Sequence, residues 1–231
     1  MTVVGCQSAY IAGDMNDDNR ALTSKAERPV VNLSYSSDDR EILRLAMVSD
    51  AGIIGQGDHV EVEIAAGTIT REAYVNADPA EWNQATVSTL LKEGKLGRGA
   101  YYDYVQKHFA KFFTVPSWRA YMAEKFDFCL GTRFYGNMVA LQAGVPALWV
   151  EHDMRTKELC EHLNLPSIAH AKLPGIKSIQ DLAGQCSYDA YWAGMPKRIT
   201  EFLAYLQGNG VRDMLMPDLA QGFEKISAGK V

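Results

Sequence analysis

Short apolar runs alternate with helix-like segments through much of this chain, and this alternation limits the folds open to it. Residues 112–115, 127–133 and 145–153 each contain a run short enough to be a buried strand. Residues 116–126 and 135–144, which lie between them, carry helix signals. Strands joined by helical crossovers of this length are parallel, with right-handed connections. The pattern therefore predicts an α/β fold, a Rossmann-like three-layer sandwich with a mainly parallel sheet.

The helix predictions rest on side-chain spacing and on residues that end or cap helices. In residues 116–126, large apolar side chains recur at i, i+3, i+4 and i+8: Trp118, Tyr121, Met122 and Phe126. Gly144 is expected to close the helix that starts near Tyr135. Asp153 is expected to cap a further helix over residues 154–166.

The first half of the chain gives a less complete prediction. A strand is expected at residues 29–35, then a helix capped by Ser37 or Asp38 and ending at Gly52, then a buried strand at 52–57. Residues 58–67 alternate in polarity and fit either a strand or the start of a helix. Residues 66–111 show no clear pattern.

The expected domain organisation has three parts. Residues 12–28 are polar, so residues 1–28 are interpreted as an amino-terminal segment or linker, and residues 29–185 as the Rossmann-like domain. Residues 186–231 are predicted to form a helical tail that packs on this domain. One face of the tail helix carries Ile199, Phe202, Leu203 and Leu206.

Composition excludes several classes of protein. With 231 residues, 47% of them apolar, the chain can bury a core without disulfides or metals. A formal charge of -5 disfavours nucleic acid as a partner. The four cysteines are far apart, which indicates a reducing compartment. No apolar run is long enough for a transmembrane segment and no secretory signal is evident, so we expect a cytoplasmic protein.

Two predicted strand ends carry arginine. In open parallel sheets ligands bind beyond the carboxyl ends of the strands, which places the candidate site at residues 131–137 and 151–156. Arg133 and Arg155 have planar groups suited to phosphate or carboxylate, and Gly131 allows close approach. The helix that starts near Gly136 adds main-chain donors at its amino terminus. The expected ligand is an anion.

Groups able to transfer a proton follow the second of these strands. His152 and Asp153 are the candidates, with the Thr156 hydroxyl as a binding group. These candidates also have structural alternatives. Asp153 can be a helix cap, His152 can be a solvent-exposed side chain, and Tyr135 can be an aromatic residue that only packs. Arg133 can equally form a surface ion pair. No glycine-rich dinucleotide or ATP motif occurs, and no histidine or cysteine pair has metal-ligand spacing, so no metal is predicted.

Residues 126–168 resemble the signature region of the polysaccharide pyruvyl transferase family. Weaker similarity lies at residues 3–11, where Gln7 replaces a proline of the family's Gly-Cys-Pro-Ser segment, and at 28–38 and 53–64. Members of this family transfer the enolpyruvyl carbons of phosphoenolpyruvate to two hydroxyls of a sugar in bacterial surface glycans, forming a pyruvate ketal. They resemble GT-B glycosyltransferases, with two Rossmann-like domains facing a cleft.

The resemblance implies roles for the residues already named. Arg133 and Arg155 would neutralise the donor's phosphate and carboxylate, the helix start at Gly136 and Asn137 would add main-chain donors, and His152 would move a proton. Tyr135 stands where the family has a histidine, and tyrosine is a poor base at neutral pH. The acceptor would be a glycan or lipid-linked sugar, and no cofactor is needed.

The segment that resembles Gly-Cys-Pro-Ser lies near the end of the first domain in family members, but here it starts the chain. Most of one domain is therefore expected to be missing, with residues 1–28 its remnant, and a homo-oligomer or a separate amino-terminal domain would complete the cleft. Two alternatives stay open: a GT-B-type glycosyltransferase that uses nucleotide sugars, and a non-catalytic binding module.

Overall fold

The computed structural model describes residues 5–10, 25–33, 39–56, 60–78 and 85–227. They form one six-stranded sheet in which every pairing is parallel. The strands are β1 (Pro29–Leu33), β2 (Gly52–Gly55), β3 (Phe109–Lys111), β4 (Phe128–Gly131), β5 (Ala147–Glu151) and β6 (Ser167–Ala169). Their order is β3-β2-β1-β4-β5-β6, the order of a doubly wound Rossmann sheet. The predicted Rossmann-like α/β fold is confirmed.

Ten α-helices of the described parts cover the two faces of the sheet. They are α1 (Arg40–Val48), α2 (Val60–Ala65), α3 (Arg71–Asn76), α4 (Ala85–Lys92), α5 (Arg98–His108), α6 (Val115–Lys125), α7 (Phe134–Gln142), α8 (Met154–Leu163), α9 (Asp189–Gly208) and α10 (Pro217–Ser227). The first five pack into one apolar cluster and the last five into another. Short 3-10 helices span Gln7–Tyr10, His170–Gly175, Ile179–Gln185 and Arg212–Met214.

The central strands β1, β2, β4 and β5 are buried on both faces except at Glu151, as expected for a parallel sheet covered by helices, whereas the edge strands β3 and β6 are partly exposed. Successive residues of β4 alternate between the two apolar clusters, with Phe128 and Leu130 in the first and Cys129 in the second. Trp149 of β5 is fully buried among α7, α8 and α9. This alternation fixes which helical layer each loop at the carboxyl edge belongs to.

The strand predicted at residues 112–115 is wrong. The strand lies at Phe109–Lys111, and Phe113 is 89% exposed. Thr114 instead caps α6, since its side chain accepts a hydrogen bond from the Ser117 amide. The threonine cap and the proline in the first helical turn favour a helix start more strongly than the aromatic residues favour a strand.

The first βα unit also differs in its boundaries. Helix α1 ends at Val48 rather than at Gly52, because the chain turns at Asp50, which has a φ of 49°, and Gly52 already starts β2. The described N-cap is Asp39, which makes no side-chain capping bond, whereas Ser37 and Asp38 lie outside the described residues. The ambiguous residues 58–67 contain helix α2.

Both ends of the described chain pack on the second apolar cluster. Tyr10 stacks on Phe202 of α9 with ring centroids 4.2 Å apart, and the Gln142 side chain donates to the Ser8 carbonyl at 2.8 Å. Ile199 of α9 lies in the same cluster as Trp149. Residues 12–24 of the predicted linker lie outside the described residues. No helix in the described ranges is long and apolar enough to cross a membrane.

Glu61 of α2 is a fully buried carboxyl, and it predicts how stability depends on pH. Its Oε1 accepts a hydrogen bond from the Tyr101 hydroxyl at 2.6 Å, whereas the buried Oε2 has no hydrogen-bond partner among the described residues. Burial raises the pKa of Glu61. Because the folded protein holds the proton more tightly than the unfolded chain, this stabilisation is complete below the usual glutamate pKa and is lost as the pH rises through the folded pKa.

We therefore expect the free energy of unfolding to fall over this pH range, and Glu61→Gln to remove much of that slope. Urea unfolding at a series of pH values measures both. Glu63→Gln changes an exposed residue of the same helix and should keep the slope. Equal slopes in Glu61→Gln and the parent protein would show that Glu61 ionises freely in the fold.

Candidate functional site

The direction in which successive strands are added reverses between β1 and β4, which lie side by side at the centre of the sheet. Helix α1 follows β1 onto one face and α7 follows β4 onto the other. The two connections therefore diverge and leave a crevice at the carboxyl edge, the usual ligand position in such sheets. Asn32, Gly131, Thr132 and Arg133 lie at this point.

Two buried asparagines fix the turn between β4 and α7. Asn32 is 1% exposed, and its Oδ1 accepts a hydrogen bond from the Arg133 amide at 3.1 Å. Its Nδ2 donates to Oδ1 of Asn137. Asn137 in turn donates to the carbonyls of Gly131 at 3.1 Å and Leu148 at 3.2 Å. The pair thus ties β1, β4, β5 and α7 together directly below the crevice.

Gly131 and Gly136 leave room for this pair. A Cβ atom on Gly131 would lie 2.2 Å from Asn32 Oδ1, and one on Gly136 would lie 2.4 Å from Gln56 Nε2. Side chains of β1 and of the end of β2 therefore occupy the space beside both glycines. The expected close approach of a ligand to Gly131 is limited by Asn32.

Helix α7 begins without a side-chain cap. Its N-cap is Arg133, and the Asn137 amide is already bonded to the Arg133 carbonyl at 3.2 Å. The first-turn amides from residue 134 to Gly136 have no acceptor within the helix, and no described residue accepts a hydrogen bond from them, so they are the main-chain donors available at this end. Asn137, expected among those donors, is not one of them. The positive end of the helix dipole points into the crevice with them.

Two further donors border the same helix start. Arg133 is exposed, and within the described parts of the chain its guanidinium forms no ion pair. Gln56 Nε2 is buried, has no hydrogen-bond partner among the described residues and lies beside Gly136. Unlike a surface ion pair, this arrangement places a cation, an amide donor and main-chain amides together, and no described residue supplies them with a negative partner.

The second predicted strand end is occupied by its own side chains. Asp153 caps α8, since its Oδ1 accepts a hydrogen bond from the Thr156 amide at 2.7 Å. This bond is the main reason why the pKa of Asp153 is lowered, and Arg155 adds to it. The predicted cap is confirmed. Thr156 is buried, so its hydroxyl faces the protein rather than the surface.

His152 lies half-buried between these groups. Its Nε2 is 3.5 Å from Asp153 Oδ2, and its Nδ1 is 3.5 Å from Thr156 Oγ1. The carboxylate beside it can hold the ring in position. Tyr135, by contrast, stands edge-on to Trp118 at 6.0 Å, and burial raises its pKa, so even less of it is ionised and able to accept a proton at neutral pH.

Arg133 and Arg155 belong to the same layer of the molecule. They lie at the starts of α7 and α8, which follow the adjacent strands β4 and β5 and pack into one apolar cluster. Both helix starts therefore lie at the carboxyl edge and on the same side of the sheet. Their convergence on one ligand remains a prediction. Two large apolar side chains are exposed near this edge, Phe113 at 89% and Met154 at 65%.

Four residues of the crevice were missed by sequence reasoning. Asn32 and Gln56 have been described, and Thr132 donates to Asp39 Oδ1 at 2.7 Å, with both residues buried. A single signal was available, because Asn32 interrupts the apolar run of β1. A polar residue within a strand buried on both faces needs partners, and the partners of Asn32 lie about a hundred positions away.

The two interpretations of Asp153 predict different outcomes on substitution. Asp153→Ala is expected to lower the free energy of unfolding by about 1 kcal/mol through loss of the cap. Asp153→Asn keeps an accepting oxygen and should be nearly as stable as the parent protein. Urea unfolding of the three proteins measures this, and an Asn variant as unstable as the Ala variant would contradict the capping role.

A scan against known protein families and searches of curated proteins and solved structures each found no match to this chain. The geometry of the crevice and the chemistry of its side chains are therefore the remaining guides to function.

Proposed function

We propose that this protein is a transferase of the pyruvyl transferase type that binds phosphoenolpyruvate at the carboxyl edge of β4 and β5. The observation that carries the proposal is the uncapped amino end of α7, which presents main-chain amides to the crevice beside Arg133, a residue without an ion pair in the described parts of the chain. Anions are stabilised at such helix ends by the free amides and by the helix dipole. The acceptor would be a sugar of a glycan or of a lipid-linked precursor.

The donor carries two negative groups, which suits two arginines on neighbouring loops. A phosphate at the start of α7 would accept hydrogen bonds from its amides and from the planar fork of Arg133. The carboxylate would then extend toward the start of α8, where Arg155 is exposed. Gln56 Nε2 is a further donor beside the helix start.

The chemistry is an addition followed by a displacement. One sugar hydroxyl adds to C2 of the enolpyruvyl group while C3 takes up a proton and becomes a methyl group. A second hydroxyl then forms the other C–O bond at C2 as the phosphate leaves. The first hydroxyl proton thus ends on C3 and the second on phosphate, so a group beside the substrate must take a hydroxyl proton and deliver it. His152, which lies 3.5 Å from Asp153, is the imidazole placed for that role.

Calorimetric titration of the full chain tests the proposal. Phosphoenolpyruvate is expected to bind more tightly than inorganic phosphate, since only the former engages both arginines. Tighter binding of a uridine or guanosine diphosphate sugar would instead favour the glycosyltransferase alternative. Binding of phosphoenolpyruvate without phosphate release, in the presence of sugars that carry suitably placed hydroxyl pairs, would favour a binding module.

A further inference from the structure

A groove lies between helices α1, α4 and α5, on the face of the sheet opposite to α7. Its volume is about 630 Å³, within the range of small-molecule sites. Most of its wall is apolar and comes from all three helices and the turn between α4 and α5: Leu43, Met47, Val48, Leu90, Leu96 and Ala100. Val48 is 63% exposed, so apolar surface continues to the rim.

Two cations converge at one end of this groove. Arg40 Nη2 lies 2.7 Å from Glu93 Oε2, and Lys95 Nζ lies 2.9 Å from the same oxygen. Both cations line the groove. One carboxylate oxygen therefore faces two positive charges, which leaves a surplus positive charge at this end. Its position also marks where the oxygen of another carboxylate would be accepted.

The remaining polar groups of the groove add to this positive end or belong to the wall. Arg44 is fully engaged, with Glu41 at 2.7 Å and the Ile176 carbonyl at 2.8 Å, so it is structural. Gly97 is the N-cap of α5 and supplies no capping side chain. The first-turn amides of this 11-residue helix therefore begin beside Lys95 and also favour negative charge.

We propose that the groove binds an amphiphilic carboxylate, with its apolar chain against the helical walls and its carboxylate between Arg40 and Lys95. The ligand carboxylate takes the position that Glu93 Oε2 now holds. The exchange keeps a carboxylate oxygen between the two cations and returns the Glu93 side chain to water, and the apolar chain of the ligand removes apolar surface from water. A neutral amphiphile gains the apolar contact without the charge contact, and a cationic one is repelled.

Three probes with the same twelve-carbon chain and different head groups test the proposal. Dodecanoate is expected to bind the full chain at one site in calorimetric titration below its micelle concentration. Dodecyl maltoside and dodecyltrimethylammonium are expected to bind at least about tenfold more weakly, the loss of roughly one charge-assisted contact. Equal binding of all three would overturn the proposal, and so would no binding of dodecanoate.

Matched charge reversals locate the site. Lys95→Glu is expected to weaken the binding of dodecanoate about tenfold. Lys92 is an exposed residue of α4 outside the groove, so Lys92→Glu should leave the affinity unchanged. If Lys95→Glu fails to fold, Ala100→Trp fills the groove from an exposed helical position and should abolish binding. Unchanged binding in either folded variant would overturn the proposal. The affinity for phosphoenolpyruvate should be unchanged in both variants. This result would show that the groove and the crevice are independent sites.

Discussion

Gly131→Ala is expected to lower the free energy of unfolding by about 3 kcal/mol or more, enough to leave much of a marginal protein unfolded. The new Cβ would lie 2.2 Å from Asn32 Oδ1 and 2.4 Å from its Cγ. Asn32 has little freedom to move, because it is buried and bonded to both the Arg133 amide and Asn137. Urea unfolding followed by circular dichroism measures the loss.

A second substitution separates this clash from other effects of alanine. Asn32→Ala removes the atoms that Gly131→Ala would meet, so the double variant should be more stable than the sum of the two single losses predicts. Gly208→Ala is the control, since no atom lies within 4 Å of that Cβ position. Strictly additive losses would show that Asn32 and Gly131 do not compete for this space.

Arg133→Lys is expected to weaken phosphoenolpyruvate binding by about ten- to a hundredfold while leaving the melting temperature unchanged. Lysine keeps the charge but loses the planar fork that a phosphate accepts in two places. The fold should not change, since the Arg133 side chain is exposed and makes no ion pair within the described ranges. Calorimetric titration and thermal unfolding measure the two quantities.

Arg155→Lys extends this prediction to the neighbouring strand. If both arginines hold one ligand, each single change weakens binding and the double change weakens it further. Arg71→Lys is the control, because Arg71 is bound to Asp103 at 2.8 Å on the other helical layer. A fall in melting temperature without a change in affinity would show that Arg133 has a structural role instead. Loss of affinity in Arg133→Lys alone would remove Arg155 from the site.

Local signals in the sequence are enough to predict much of this fold. Strand β4 and residues 147–150 of β5 are uninterrupted apolar runs, and Gly144 and Asp153 set the bounds of the neighbouring helices by local chemistry. Prediction fails where a distant residue determines the outcome. The sequence of α2 alternates in polarity as a strand does, and Glu61 is one of its charged residues. In the fold, however, Glu61 is buried against Tyr101, 40 positions away. No pattern within the segment contains that information.

The same limit applies to the crevice. The arginines and His152 could be placed at strand ends because the βα order alone determines which edge each loop joins. The buried hydrogen bonds beneath the crevice could not be predicted, since Asn32, Thr132 and Asp39 bond to partners 93 to 105 positions away. Parallel pairing brings these residues together, and only the register of the sheet shows that Asn32 lies opposite Gly131.

The sheet order has a consequence for how the molecule assembles. Strands β1 to β3 come from one part of the chain and β4 to β6 from the next, and in the described sheet the pairing of β1 with β4 is the strand pairing that joins these halves. Forming it brings together residues as far apart as Asn32 and Asn137, 105 positions along the chain, with the loop-closure entropy that such a span involves. A ligand held by both Arg133 and Gln56 would contact both halves and bind only when this pairing is formed. By mass action such a ligand would stabilise the joined sheet. Ligand binding and the folding of the whole sheet would then be linked equilibria.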